Sequence, residues 1–228
     1  MNRSRFKPLV LLAWLAALVV AAMLDANVAG FVRSSGVEAF MNSHKALRHV
    51  LKVPGEYWFT IVVMLAFLFH RRRWRASVLV LLGTTLSGVN GLTKWMVGRI
   101  RPFKLFDDND VARLAPFDLH PFIGGLHGLF GGVKNLCFPS GHAALAFATA
   151  AALAMLWPKS RWRWGFYAVA AVVAAERVLE NAHWLSDTVA GAALGVGGVH
   201  LIRWLLVKFT VDEREQDRDA LTTMADTN

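Results

Sequence analysis

The feature that most limits how this chain can fold is the gathering of its apolar residues into six blocks. They run over Pro8–Ala29, Glu56–His70, Ala76–Val97, Gly141–Trp157, Trp164–Val178 and Leu185–Leu206. About 20 apolar residues cross a hydrocarbon core of about 30 Å as a helix, and a helix satisfies its own backbone groups there. The second and fifth blocks are short, so their ends must draw on aromatic or snorkelling side chains. Composition agrees, since 55% of the 228 residues are hydrophobic, more than soluble domains of this length usually carry. The expected fold is all-α, an integral-membrane bundle of six transmembrane helices. No internal repeat of fixed period is visible.

The net charge of +9 raises nucleic acid as a partner, but its placement argues for a membrane instead. Arg71, Arg72, Arg73 and Arg75 fill a very short link between apolar blocks. Lys159, Arg161 and Arg163 fill another, and Arg3, Arg5 and Lys7 precede the first block. Short basic loops stay on the cytoplasmic side. All three clusters agree with both termini being cytoplasmic. The links at about 30–55, 98–140 and 179–184 then share the opposite, periplasmic side. A basic start and an apolar middle also fit a cleaved signal peptide. Asn27–Ala29 is a poor cleavage site and the run is long, so a span is expected.

Between the first two blocks, Val37, Phe40, Met41, Leu47, Val50 and Leu51 alternate with Glu38, His44, Lys45, Arg48 and Lys52. This pattern predicts an interfacial amphipathic segment after the first span, either a collar or a ramp for lipid head groups. The long 103–138 loop has the size of a lid or binding loop. Its Asp107, Asp108 and Asp110 lack the spacing of a calcium loop, and no metal site is expected. The lone Cys137 excludes an intramolecular disulfide and reads as a small buried residue. Residues 1–208 are expected to form the membrane domain, and residues 209–228, charged and poor in apolar side chains, a disordered cytoplasmic tail.

Three polar groups interrupt this pattern on the extracytoplasmic side. The first is KWMVGRIRP, Lys94 to Pro102. Lys94 and Arg101 stand seven residues apart, nearly two helical turns, so both are expected on one helix face. Pro102 is expected to end that helix. The second is Pro139-Ser140-Gly141-His142, where Ser140 is a good N-cap. The helix start behind it offers free N–H groups to an anion. The third is ERVLENAHWLSDTVAG, Glu176 to Gly191. His183 and Asp187, four apart, meet on one turn, and a carboxylate fixes the tautomer of the imidazole beside it. Each group alone is explained by span anchoring or capping. Together they bring Lys94, Arg101, Arg177, His142, His183 and Asp187 to one membrane face, where ionisable residues are functional by default. Three cations suit a tetrahedral dianion, and two imidazoles suit a nucleophile and an acid. That set describes phosphoryl transfer, which is mostly positioning and charge stabilisation.

Lys94-x6-Arg101-Pro102, then Pro139-Ser140-Gly141-His142, then Arg177-x5-His183-x3-Asp187 resemble the three-part signature of the type 2 phosphatidic acid phosphatase superfamily. The resemblance covers about residues 56–206, and its specificity lies in the joint order and spacing. It implies that His183 attacks phosphorus to form a phosphohistidine and that Asp187 orients it. It implies that His142 protonates the leaving oxygen and then activates water. Lys94, Arg101, Arg177, Ser140 and the Gly141 amide would bind the phosphoryl oxygens, without a metal or other cofactor. Glu176 departs from the pattern, which usually has Ser before the third-motif Arg. A carboxylate there would repel phosphate unless it turned away to pair with another group.

The function so implied is a bacterial inner-membrane phosphatase acting on a lipid phosphate at the periplasmic face. Polyprenyl diphosphate, phosphatidylglycerol phosphate, phosphatidic acid and lipid A are the substrate types of bacterial members of similar size. Alternatives are a lipid phosphotransferase using the same phosphohistidine, a haloperoxidase, disfavoured because those relatives are mainly soluble, and a non-enzymatic anion-binding or transport module.

Overall fold

The computed structural model of the chain describes residues 3–68, 90–107, 119–125, 135–157 and 160–226. Its helices are α1 (Arg3–Ser34), α2 (Val37–Ser43), α3 (Lys45–Lys52), α4 (Tyr57–Leu68), α5 (Asn90–Val97), α6 (Pro102–Asp107), α7 (Gly141–Leu156), α8 (Trp162–Leu179) and α9 (Leu185–Asp226). A 3-10 turn at Val53–Gly55 joins α3 to α4. Extended pairing among the described residues is limited to the isolated bridges Arg99–Leu119 and Ile100–Leu136. The all-α expectation holds.

Two helical stretches among the described residues are long and apolar enough to cross a membrane, Pro8–Ser34 and Leu185–Lys208. Lys45–Gly55 and Tyr57–Phe67, bent by 48°, make a third if they are one broken span. The other expected spans fall short for visible reasons. Helix α7 has 16 residues, and α8 carries Arg163, Glu176 and Arg177 within its 18. Most of the third apolar block, the Arg71–Arg75 link, Lys159, Asp108, Asp110, His127 and Gly128–Gly132 lie outside the described residues. The amphipathic segment folds as α2 and α3. At the other end, α9 runs on to Asp226, where a tail without structure is expected from the sequence. The segment beyond Thr210 has no Gly or Pro and includes Ala, Leu, Glu, Gln and Arg, all good helix formers.

Helix α7 is the centre. It is apolar on every side, and Ala143, Ala144, Ala146, Ala148, Ala150, Ala151, Ala152 and Ala154 are all buried, as expected of a helix enclosed by others. Ala148, Ala151 and Ala152 pack on Val199 and Ile202 of α9. Ala146 and Ala150 pack on Ala170 and Val173 of α8. The approach of α9 is close. A Cβ on Gly191 would lie 2.4 Å from the Ser140 carbonyl, and one on Gly195 would lie 2.2 Å from the Ala144 carbonyl. Small residues four apart let helix backbones meet this way. Helix α1 turns the stripe Ala21, Asp25, Ala29 and Val32 inward, all buried; Asp25 meets Ser186 of α9, and Ala29 packs on Cys137 and Trp184. Its remaining apolar side chains, among them Leu12, Val19, Met23 and Phe31, face outward.

Candidate active site

The chain does not continue as one helix from Lys94 to Arg101, contrary to the expectation from their spacing. Gly98 adopts a left-handed conformation with φ 64°, and its N–H donates to the Lys94 carbonyl at 2.8 Å. That closes α5 at Val97 as an αL cap does. Pro102 then begins α6 instead of ending α5, at the first-turn position where its missing N–H costs nothing. Lys94 therefore sits on α5 and Arg101 in the connection, yet the two remain within electrostatic reach of each other and of Asp187.

Main-chain hydrogen bonds stitch the three polar segments together. Cys137 N donates to Arg99 O at 2.9 Å, Phe103 N to Asn181 O at 3.1 Å, and Ser140 N to Asp187 O at 2.9 Å. Ser140 is the N-cap of α7, its hydroxyl accepting from Ala143 N at 3.5 Å, the long end of such a bond. His142 follows in the first turn, with Gly141 between.

His183 is buried, and its Nδ1 lies 3.4 Å from Asp187 Oδ2. The pair is close enough for ionic attraction but not aligned as a hydrogen bond. Burial pushes the imidazole down to about 4 against the pull of Asp187, so it is neutral near pH 7. Both Asp187 oxygens are engaged elsewhere. Oδ2 accepts from Trp184 N at 3.0 Å, the reciprocal half of a capping box at the start of α9. Oδ1 accepts from Arg99 Nη1 at 2.6 Å. His142 Nε2 lies 3.5 Å from Glu56 Oε1, which also pairs with Lys52 Nζ at 3.2 Å. His142 stands within electrostatic reach of Arg177 and His183.

The cations divide into two kinds. Arg177 Nε and Nη2 both donate to the Glu176 carboxylate, and Nη2 stands 2.7 Å from Glu180 Oε2. Glu176 thus pairs with the very arginine it precedes. Glu180 in turn accepts from Arg48 Nη1 of α3 at 2.6 Å. Arg99 is likewise held, by Asp187 and by Asp25 of α1. Lys94 and Arg101 are different. They are half-buried, form no ion pair among the described residues, and Arg101 Nε is buried without a hydrogen-bond partner. Burial, with Arg177 nearby, pushes the Arg101 guanidinium down from its ordinary value against the pull of Glu180 and Asp187. Cys137 is fully buried, and burial raises its thiol far above the ordinary range. It is therefore a packing residue and not a thiolate nucleophile. Among the described residues no three His, Cys, Asp or Glu side chains gather as metal ligands would.

The PAP2 superfamily profile matches residues 74–210, more than half of the chain. The chain belongs to the PAP2 superfamily. Lipid A 1-phosphatase of Rhizobium johnstonii is 38% identical over 104 residues, 46% of this chain and 36% of that protein. Undecaprenyl-diphosphatase of Sulfolobus acidocaldarius is 26% identical over 144 residues, 63% of this chain and 61% of that protein. The chain thus spans little more than a third of the Rhizobium relative's length. A transmembrane PAP2-type phosphatidylglycerolphosphate phosphatase from Bacillus subtilis superposes with a TM-score of 0.42 and 19% identity, over 84% of this chain and 96% of that one. Lys94 through Asp187 lie inside the PAP2 match. Asp25, Arg48 and Glu56, which the structure brings to the same place, lie before it. Asp25 is a charged residue within an apolar span, a signal that spacing within motifs does not use.

Proposed function

We propose that the chain is an integral-membrane phosphatase that hydrolyses the phosphate or diphosphate ester of a membrane lipid through a phosphohistidine. The observation that carries this reading is the pair Lys94 and Arg101, half-buried and without carboxylate ion-pair partners among the described residues, within electrostatic reach of the His183 imidazole. Buried cations are normally paired, and a phosphoryl dianion supplies the missing charge. His183 Nδ1 faces Asp187, which leaves Nε2 for attack. A bond forms from Nε2 to phosphorus as the bond to the leaving oxygen breaks, and His142 gives that oxygen its proton. In the second step His142 takes a proton from water, whose oxygen attacks phosphorus and releases phosphate and the free imidazole. Ser140 and the Gly141 amide complete the cradle at the start of α7. Arg177, held by Glu176 and Glu180, presents a fixed and partly neutralised charge.

The six apolar blocks and basic links support a six-span chain in a bacterial inner membrane, with both termini cytoplasmic and the site periplasmic. A site at a membrane face suits a substrate arriving sideways from the bilayer. Relatives named for lipid A and for undecaprenyl diphosphate make these the first substrates to try, with phosphatidic acid and phosphatidylglycerol phosphate. The test is phosphate release by purified protein over that lipid panel. His183→Ala is expected to lower turnover at least about 10³-fold, the range seen when a nucleophile is lost, while phosphate-lipid binding is kept. Unchanged turnover would sink the mechanism. Product analysis with an added lipid alcohol separates hydrolysis from phosphotransfer. Because fixed cations do the work of a metal here, activity should persist in EDTA and be blocked by orthovanadate. Loss in EDTA restored by magnesium would contradict it.

A further inference from the structure

The most buried charge cluster among the described residues joins Asp187 of the three-part signature to two residues that are not among its named positions, Arg99 and Asp25. Arg99 is 3% exposed, Asp25 1% and Asp187 0%. Arg99 Nη1 donates to Asp187 Oδ1 at 2.6 Å and to Ser186 Oγ at 2.7 Å. Its Nη2 donates to Asp25 Oδ2 at 2.7 Å. Asp25 Oδ1 accepts from Ser186 N at 2.9 Å, and Oδ2 accepts from Ser186 Oγ. Asp25, from α1, thus satisfies one of the N–H groups that the first turn of α9 leaves without an intrahelical partner. The Arg99 guanidinium lies over the Trp184 ring, 5.1 Å from its centroid, and Trp184 Nε1 donates to Ile100 O at 2.9 Å.

We propose that Arg99 and Asp25 are positioning residues for the nucleophile, acting through Asp187, so that α1 completes a site whose recognised residues all lie later in the chain. The proposal rests on the reading of His183 as nucleophile given above. A fold-locking ion pair needs one carboxylate, and this arginine has two. Asp187 needs both its restraints. Trp184 N alone would leave the carboxylate free to turn about Cβ–Cγ, and with it the imidazole it faces. Arg99 fixes the second oxygen. Paired with Arg99 alone, however, Asp187 would lose most of its negative character and its hold on His183. Asp25 shares the guanidinium and leaves Asp187 that charge. The fork geometry matters, because one ammonium cannot hold two carboxylates and a hydroxyl in one plane.

The experiment measures kcat and KM of the full-length protein in detergent, first on dioctanoyl phosphatidic acid, otherwise on the panel lipid hydrolysed fastest. The variants are Asp25→Asn, Arg99→Lys and His183→Ala, each with its thermal unfolding curve and its orthovanadate affinity. Asp25→Asn is expected to lower kcat about tenfold and Arg99→Lys about a hundredfold, a loss of about 1.4 and 2.7 kcal/mol of transition-state stabilisation. KM stays within threefold, because Lys94 and Arg101 are untouched. Should Arg99→Lys fail to fold, the nearly isosteric Asp25→Asn decides. A kcat within twofold of the parent in Asp25→Asn, with His183→Ala inactive, overturns the positioning role and leaves the phosphatase reading standing. So does a fall in kcat matched by an equal loss of folded protein. Full turnover in His183→Ala, or no hydrolysis of any panel lipid by the parent, removes the phosphatase reading and this proposal with it.

Discussion

Glu176 shows how one side chain changes what its neighbour offers. Where the usual PAP2 pattern has serine, this chain has a buried carboxylate that grips Arg177 by Nε and Nη2. Glu176→Gln removes that charge but keeps an acceptor. Orthovanadate inhibition is expected to tighten about three- to tenfold as Arg177 turns its charge to the anion, while the melting temperature falls because a buried pair is broken. Unaltered inhibition would show that Arg177 does not meet the phosphoryl group. Glu56 makes a second case. Its carboxylate is 3.5 Å from His142 Nε2, within ion-pair distance, and so favours a proton on that nitrogen. Glu56→Gln should slow hydrolysis of a lipid phosphate about tenfold, a fraction of what general acid catalysis contributes. The loss should shrink on para-nitrophenyl phosphate, whose leaving oxygen needs no proton. Equal losses on both substrates would assign Glu56 to structure alone. The eight proposed site residues could be singled out from sequence because each part is a short local pattern, a Ser before a helix or a His four residues from an Asp, and the three parts occur in a fixed order. Asp25, Glu56 and Arg99 could not, because the partners that tie them to the site lie between 74 and 161 residues away, and only folding brings those groups together.

Among the helices, small residues do the positioning. Gly191 and Gly195 let α9 touch α7, and the same contact sets the Ser140 N to Asp187 O bond that joins two of the polar segments. Gly191→Ala is expected to cost about 1–3 kcal/mol, the range for overpacking, and to lower kcat as well, since the clash falls on the Ser140 carbonyl. Gly195→Ala should cost as much stability with less effect on kcat, being one turn deeper. Gly197, with nothing within 4 Å of an added Cβ, should accept Ala with no loss and a gain of up to about 1 kcal/mol. Circular dichroism melts and turnover of the three variants check this ordering. Equal stability for all three would show that α7 and α9 do not meet at these glycines. The length of the apolar runs announced α1, α7, α8 and α9, because a chain that crosses or lines a bilayer must be apolar over many consecutive residues. It could not show the break at Gly98. Helix geometry read from spacing assumes that a helix continues, and a left-handed glycine cancels that assumption within one residue.

Among the described residues, α1, the α2–α3 segment and the core of the site are tied by polar contacts. Asp25 holds Arg99, Arg48 holds Glu180, and Glu38 accepts from Asn181 Nδ2 at 2.8 Å. The segments that precede the PAP2 match therefore brace the one that carries His183. Such a polar interior makes stability depend on pH, and His183 gives the sign. Its imidazole has an ordinary value of 6.5 and is pushed down to about 4 in the folded chain, chiefly by burial. Between those values the unfolded chain binds a proton that the folded chain does not. Stability must therefore fall as pH drops from 6.5 toward 4, with a slope approaching about 1.4 kcal/mol per pH unit. Above pH 6.5 this contribution is constant. His183→Asn removes the titrating group and keeps a polar side chain. The parent should thus lose its advantage over His183→Asn, or widen its deficit, as the buffer moves from pH 7 to pH 4.5. The check is denaturant unfolding of both proteins in the same detergent across that range. Curves that stay parallel would mean that His183 takes up its proton in the folded chain as readily as in the unfolded one. That would place it in contact with water and not in the closed pair with Asp187.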